Sequence, residues 1–515
     1  MIATILWTLC AVVIGFLAYL GIRELTNKKR LARYSNQGFS TQYKPFLGEI
    51  QLILDGLGKL DEIKPFENLA KNSKGFPGVA INHWSGKKSW IHLLDVDLIR
   101  EYLAIESEVS QRDPFVDTKI DVGFIMQGGE KALNQRTVFS SIFSQTNLTR
   151  IAPQLRNIID GHFSSLKLVR ETEGAQIGQY ENSILFLEGL MKLFSRDLIY
   201  HCSIPLPETK AGLSPAEELI HIFGIVMGST AGTHPLNLIL EGLPHKFNLL
   251  SGSREANRRG QELMQKIKEF IQSRHETIHK DGIEKYDPSK FNIIDAMILH
   301  NHAARQAGKL IDVLTIEQMV GNCNLFNFAS FDTTLTTANS IFFHLGQDRD
   351  LQDRLWSEIQ KAGLQEGIKS MDNIDDCVLL TDVIHESLRV FPPGPLTSDR
   401  IVFKDFKLGK YQFFKGDLIN VALGANMWDS DKFPNGRTFK VGSRQPSNKK
   451  YFMPFSSGRR GCIGQVLAEL ELKQLVIYTV SKYMIEPISQ PEEVRYYFNL
   501  AMKLDNCFVK LVPRN

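Results

Sequence analysis

The chain has 515 residues, 43% of them hydrophobic and 23% charged, with a formal net charge of +3. This is the composition of an ordinary folded protein with material for a large core, and so small a net charge argues against nucleic acid as a partner. Its six cysteines, Cys10, Cys202, Cys323, Cys377, Cys462 and Cys507, form no CxxC pair, which argues against a zinc site and against a dense disulfide framework.

From the N-terminus, Met1 to Ile22 carries no charged side chain and is rich in Ile, Leu, Val and Phe. About 20 such residues at about 1.5 Å each span a bilayer core of roughly 30 Å. Basic residues follow at Arg23, Lys28, Lys29, Arg30 and Arg33. By the positive-inside tendency they keep the rest of the chain on the cytosolic side. A cleaved signal peptide, the alternative, would show a shorter apolar run behind a basic residue. The expected layout is a transmembrane signal anchor at 1–22, a basic linker at 23–44 and one soluble domain at 45–515. Asn147-Leu148-Thr149 fits the glycosylation sequon and should stay unmodified in a cytosolic domain.

Gly78 to Trp84 and Lys88 to Leu93 predict two short strands about a Ser85-Gly86-Lys87 turn, and Asp95 to Ala104 a helix. Thr315-Ile-Glu-Gln318 is a capping-box start. The helical pattern then continues to Gly346, about 45 Å at about 1.5 Å per residue. Near its middle, Ala329-Ser330-Phe331-Asp332-Thr333-Thr334 sets an acid and hydroxyls among Leu325, Phe326, Phe328 and Phe331. A solvated helix face is the plain alternative for this block. Ser330 can bond back to the Phe326 carbonyl and bend the helix. A further helix contains Asp382 to Val390 and stops at Phe391-Pro392-Pro393. It holds Glu386 and Arg389 three apart on one face, a spacing worth only about 0.2–0.5 kcal/mol if exposed. Ile401 to Val421 is rich in strand signals, punctuated by Gly409 and Gly416.

The most informative stretch is Phe455-Ser-Ser-Gly458-Arg-Arg460-Gly-Cys462-Ile-Gly464, followed by a helical pattern from Gln465 to Tyr483. A cysteine just before a helix sits near unpaired backbone N–H groups and the positive end of the macrodipole. Both favour a thiolate, and a soft thiolate is a good ligand for haem iron. Gly458 and Gly464 allow a tight turn and close approach to a flat group. Arg460 offers a fork of donors suited to a carboxylate such as a haem propionate. A buried structural cysteine is the bland alternative, which the five matched positions outweigh.

The pattern Phe-x-x-Gly-x-Arg-x-Cys-x-Gly resembles the haem-ligand signature of the cytochrome P450 monooxygenases, and the likeness covers essentially the whole region after Pro45. It implies a mainly α fold with small β-sheets (α+β), a single large haem domain behind the N-terminal transmembrane helix. It implies haem b (iron protoporphyrin IX), with Cys462 as axial ligand of the iron and Phe455, Gly458, Arg460 and Gly464 around it. Asp332 and Thr333 correspond to the oxygen-activating acid and threonine: Thr333 would bond to oxygen and water over the haem, and Asp332 would relay protons. Ser330 stands where the family usually has glycine. Glu386 and Arg389 correspond to the family's structural Glu-x-x-Arg pair, with Arg437 in Asp431-Lys-Phe-Pro-Asn-Gly-Arg437-Thr-Phe439 as its third member, although Thr438 separates Arg437 from Phe439. Arg136 and Arg400 are candidates for the propionates; Ala132 replaces the tryptophan usual four residues before Arg136.

The implied activity is that of an oxidoreductase, a monooxygenase inserting one atom of O2 into a small hydrophobic substrate. No flavin or dinucleotide fingerprint follows a strand, so electrons would come from a separate NADPH-dependent flavoprotein reductase, with cytochrome b5 an optional second donor. Arg459 and Lys473 offer a docking surface for such a partner, solubilising charge being the alternative. Membrane lipid is the remaining partner, at the endoplasmic reticulum with the catalytic domain cytosolic. A haem-thiolate isomerase or dehydratase acting on peroxides, and a haem-binding protein without turnover, stay open as alternatives. Phe326, Phe328 and Phe331 are candidates for lining the substrate pocket.

Overall fold

The first helix, α1 (Ile2–Ser35), carries the chain from the apolar N-terminus into a sheet. The computed structural model describes residues 2–45, 61–82, 88–112, 123–127, 129–143, 155–161, 184–186, 251–286, 292–368, 376–499 and 501–514, with a few isolated positions between. Asn147, the Ser85-Gly86-Lys87 turn and the side chains of residues 2–12 lie outside the described residues. Among the described residues no helix is long and apolar enough to cross a membrane.

The stretch 23–44, expected to be a linker, is helical to Ser35 and then enters strand β1 (Ser40–Gln42). The reason is an inward face hidden among the charges. Asn27, Leu31 and Tyr34, spaced four and three apart, are all buried. The Tyr34 hydroxyl donates to Asp417 at 2.9 Å, and Asp417 also accepts from the Ser89 N–H at 2.8 Å.

Helix α2 (Lys64–Asn72) precedes β2 (Gly78–Asn82) and β3 (Ser89–Leu93), which pair antiparallel with Ala80 opposite Ile91. Asp95 caps α3 (Val96–Val109), its carboxylate accepting from the N–H groups of Asp97 and Leu98. Strand β4 (Ser110–Arg112) follows directly, and α4 (Gly129–Ile142) lies beyond it. After a short strand β5 (Ile184–Phe186) come α5 (Ser251–Asp281) and α6 (Ile293–Gln306). The central helix α7 (Ile316–Gln347) begins with the expected capping box, Thr315 and Gln318 each bonding the other's backbone N–H. It is followed by α8 (Arg349–Lys361) and α9 (Val378–Val390).

The strand-rich patch resolves into β6 (Arg400–Val402), β7 (Phe406–Leu408), β8 (Tyr411–Phe413) and β9 (Leu418–Val421). Helix α10 (Gln465–Lys482) follows the cysteine loop, and β10 (Tyr483–Pro487), β11 (Arg495–Asn499), β12 (Ala501–Asp505) and β13 (Phe508–Pro513) close the chain. The strands form one six-stranded sheet in the order β1-β2-β3-β9-β6-β4, a three-stranded sheet β10-β13-β5, and the hairpins β7-β8 and β11-β12. Helices thus dominate, with small sheets, as expected.

One large core joins these elements. Helix α7 runs through it, with Cys323, Phe331, Ile341 and Leu345 nearly inaccessible. Each such apolar side chain contributes about 1.5–3 kcal/mol on burial. Of the phenylalanines expected at a pocket, Phe326 packs between Phe139 and Phe143, each ring 4.9 Å away, and Phe331 is buried. The Phe328 side chain lies outside the described residues.

Candidate active site

Local backbone geometry shapes the cysteine loop. Gly458 adopts φ +72°, and a Cβ there would come within 2.4 Å of the Leu103 carbonyl oxygen on α3, so no other residue fits. Residues Gly458–Arg460 form one 3₁₀ turn, and the Cys462 N–H donates to the Phe455 carbonyl at 2.9 Å. Gly464 then opens α10. A Cβ on Gly464 would meet only the Cys462 Sγ, at 3.9 Å. Packing within the protein therefore does not demand glycine there, and any such demand would come from a group seated on the sulfur.

The Cys462 side chain is accessible, yet enough protein surrounds it that burial pushes the thiol pKa up. The Gly464 N–H and the Arg136 guanidinium pull it down, and Glu469 pushes it up. The helix N-terminus thus acts in the direction expected from sequence, but burial outweighs it. The loop alone does not favour a thiolate; coordination to a metal ion would remove the proton outright.

Three arginines converge beside the loop. Arg460, half-buried, donates to the Gln127 carbonyl at 3.2 Å. Its pKa is pushed down to about 10, by burial first and then by Arg400 and Arg136. Arg400 pairs through Nε with Glu106, while its buried Nη1 has no partner. Arg136 has its pKa lowered by burial, with Cys462 opposing. The Arg460 guanidinium lies near those of Arg400 and Arg136 and near the Glu106 carboxylate, and among the described residues Arg400–Glu106 is the ion pair these three arginines form. Buried cations are costly without counter-charges, so the cluster suits an anionic group. Two haem propionates meet that requirement, and a thiol for the iron lies next to them.

Glu106 was not singled out from sequence, although a signal existed. It lies on the apolar stripe of α3 with Leu98, Ile99, Tyr102, Leu103 and Val109, where a buried acid requires a partner.

In the middle of α7 the Ser330 hydroxyl donates to the Phe326 carbonyl at 2.5 Å, the back-bond anticipated for it. Thr333 is exposed and donates to the Ala329 carbonyl at 2.7 Å. Asp332 is buried and forms an ion pair with Lys503 of β12 at 2.8 Å. Thr334 donates to Glu471 of α10 at 3.2 Å, and burial pushes the Glu471 pKa up to about 8. That bond locks α7 onto the helix behind the cysteine loop. Lys503 had no signal in sequence: it is one polar residue in an ordinary alternating strand.

Glu386 and Arg389 form a bidentate pair, both bonds 2.8 Å, with both side chains buried. Arg437 does not complete it. Arg389 donates instead to the carbonyls of Met427, Gly436 and Thr438, and Glu386 accepts from the Lys440 N–H at 2.9 Å. The carbonyls on either side of Arg437 point at Arg389, so the Arg437 side chain leaves on the other face. There it bonds Asp61 at 2.5 Å and reaches Glu67 at 3.4 Å, between the rings of Trp428 and Tyr496. A separate cleft of about 740 Å³ runs past α2 and the start of α3. It contains none of the residues expected at the site, and its Lys71 and Lys432 are paired with Glu67 and Asp429.

The family model described as cytochrome P450 matches residues 44–508. Among curated relatives, a cytokinin hydroxylase of Arabidopsis thaliana is 24% identical over 78% of this chain and 74% of its own length. Cytochrome P450 4F2 of Homo sapiens is 23% identical over 80% of each chain. Cytochrome P450 714B2 of Oryza sativa subsp. japonica is 29% identical over 41% of this chain and 40% of its own.

Proposed function

The chain belongs to the cytochrome P450 family, haem b enzymes with a thiolate ligand, and from that premise we propose that it inserts one atom of O2 into an apolar organic substrate, with Cys462 the residue that would hold the haem iron. The observation that carries this assignment is the pairing of an accessible thiol with a cluster of three arginines, one of which keeps a free buried Nη1. Bound haem supplies dioxygen activation, and an electron-rich thiolate favours cleavage of the O–O bond.

The protein's own residues do the rest. Gly458 and the Phe455 carbonyl fix the loop so that the sulfur stays in place. Arg136, Arg400 and Arg460 would hold the two propionates, the free Nη1 of Arg400 among the donors. Thr333 presents a hydroxyl that now donates to the Ala329 carbonyl at 2.7 Å and can turn to donate elsewhere. Asp332, held by Lys503, relays protons to it. Reduction of one oxygen atom to water consumes two protons, so a relay is needed in a site shielded from bulk water.

Members of the family work with a redox partner, a substrate and O2. For this chain we assign an NADPH-dependent flavoprotein reductase, with cytochrome b5 as a second donor, acting at the exposed Arg459 and the half-buried Lys473. Residues 1–22 anchor it in the endoplasmic reticulum membrane. On α1, Val13, Ile14, Leu17 and Ile22 are 54–66% exposed, which suits lipid.

The test is turnover under ¹⁸O₂ with reductase and NADPH, using apolar compounds first shown to shift the haem absorption. One labelled oxygen per product molecule supports the assignment. Conversion of a peroxide without O2 or reductase, with no label incorporated, would show the isomerase instead.

A further inference from the structure

Three contacts fix how the β7–β8 hairpin lies against α1. Arg30 Nη1 is 3.8 Å from Asp417, just beyond the hairpin. The Arg33 guanidinium sits 5.0 Å over the ring of Phe414. Gln37 donates to the Gln412 carbonyl at 3.1 Å and accepts from the Gln412 N–H. As the chain advances from 30 at the end of α1 to 37 just beyond it, its partners therefore recede from 417 to 412. The base of the hairpin faces the N-terminal end of α1, and its Gly409-Lys410 tip points away from it.

The base is basic and carries an exposed aromatic ring. The Val402 N–H donates to the Asp417 carbonyl at 2.9 Å and the Gly416 N–H to the Val402 carbonyl at 2.8 Å, which sets residues 403–404 beside 415–416. Lys404 and Lys415 are exposed there, and Phe403 is 37% exposed with the Lys404 ammonium 6.0 Å from its ring. On α1, Lys28, Lys29 and Arg33 are exposed as well. Segments 23–44 and 403–416 together hold ten Lys and Arg against Glu24 and Asp405. Their net charge of +8 compares with +3 for the whole chain, so the remainder is net acidic.

We propose that the end of α1 and the base of the β7–β8 hairpin form a basic collar that binds anionic phospholipid headgroups where α1 leaves the bilayer. The proposal rests on reading α1 as a membrane anchor. From Ile22, the last residue of the uncharged run, to Arg30 is about 12 Å of helix. Lys404 and Lys415 are thereby brought close to the headgroup layer, within reach of a surface potential that decays over about 8 Å. Lys407 and Lys410 stand further up the hairpin. Phe403 supplies the apolar side chain that an interfacial segment buries at the headgroup boundary.

The test is lysine acetylation of the full-length holoprotein in nanodiscs of phosphatidylcholine, with or without phosphatidylserine, read by mass spectrometry. Lys28, Lys29, Lys404 and Lys415 should react about threefold or more slowly in the anionic discs, and the protection should vanish at high salt. Lys407 and Lys410 should react nearly alike in both. The double substitution Lys404→Glu with Lys415→Glu should restore much of the reactivity of Lys28 and Lys29. Equal rates in both discs, or protection confined to Lys28 and Lys29, would overturn the collar while leaving the anchor standing. Protection that appears only when an acidic redox partner is added would also overturn it, in favour of protein docking. Failure of the chain to enter discs of either kind would remove the anchor itself, and the collar with it.

Discussion

The loop around Cys462 is held mostly by its own backbone, whereas the middle of α7 is held by side chains from far along the chain. In the loop, the Cys462 N–H bonds a carbonyl seven residues back, and the decisive constraint is the φ of Gly458 against Leu103. In α7, Asp332 depends on Lys503, and Thr334 and Thr336 reach partners 137 and 166 residues away. The contrast shows why a short motif suffices to recognise the loop while the proton-handling side of the site needs the whole fold.

The comparison can be broken first at the element that supports the loop from behind. Replacing Glu386 by Ala leaves Arg389 buried without its counter-charge, which costs about 3–5 kcal/mol. Urea unfolding should show that loss together with haem release; a cost below about 1 kcal/mol would mean that the carbonyls of Met427, Gly436 and Thr438 carry Arg389 alone.

On the α7 side, Glu471→Gln should change how stability depends on pH. The folded protein raises the Glu471 pKa to about 8, well above an ordinary glutamate. The folded state therefore holds this proton more tightly than the unfolded chain. Its contribution is full below the unfolded pKa of about 4.3 and is lost as the pH rises through about 8, an effect on the order of 5 kcal/mol. Wild type should lose stability relative to the variant across that window, measured as the difference between their urea curves. Parallel pH profiles would refute a buried, protonated Glu471.

Lys503→Met should act on coupling more than on binding. With Asp332 deprived of its partner, product per electron should fall by at least about tenfold, below the roughly 10²–10⁴-fold that loss of a proton-transfer group costs. Lys503→Arg should recover part of it. Peroxide release unchanged in both variants would separate Asp332 from proton delivery. The smallest effect belongs to Ser330→Gly, which frees the Phe326 carbonyl and opens space over the helix. It should shift the ratio of product to peroxide by a few-fold at most, at unchanged stability within about 1 kcal/mol.

Much of the fold was legible because its signals are local. The capping box at Thr315 and Gln318, the helix starting at Asp95 and the two strand runs that became Gly78–Asn82 and Ser89–Leu93 each involve residues a few positions apart. The segment 23–35 resembled a linker because its charges outnumber the inward face of Asn27, Leu31 and Tyr34. Arg437 was misassigned for a different reason. Whether it meets Glu386 or Asp61 depends on how the backbone turns at Gly436 and Thr438, and its partner lies 376 residues away. Glu106 announced itself only as an acid on an apolar stripe, and Lys503 not at all.

The central claim, that Cys462 is the iron ligand of a bound haem, is tested most directly by the carbon monoxide difference spectrum of the dithionite-reduced protein, beside that of Cys462→Ser. The account predicts the red-shifted Soret band for which the family is named in the wild type, and its disappearance in the variant even where haem is retained. An unshifted haem–CO band in the wild type, or a shifted band that survives the substitution, would contradict it.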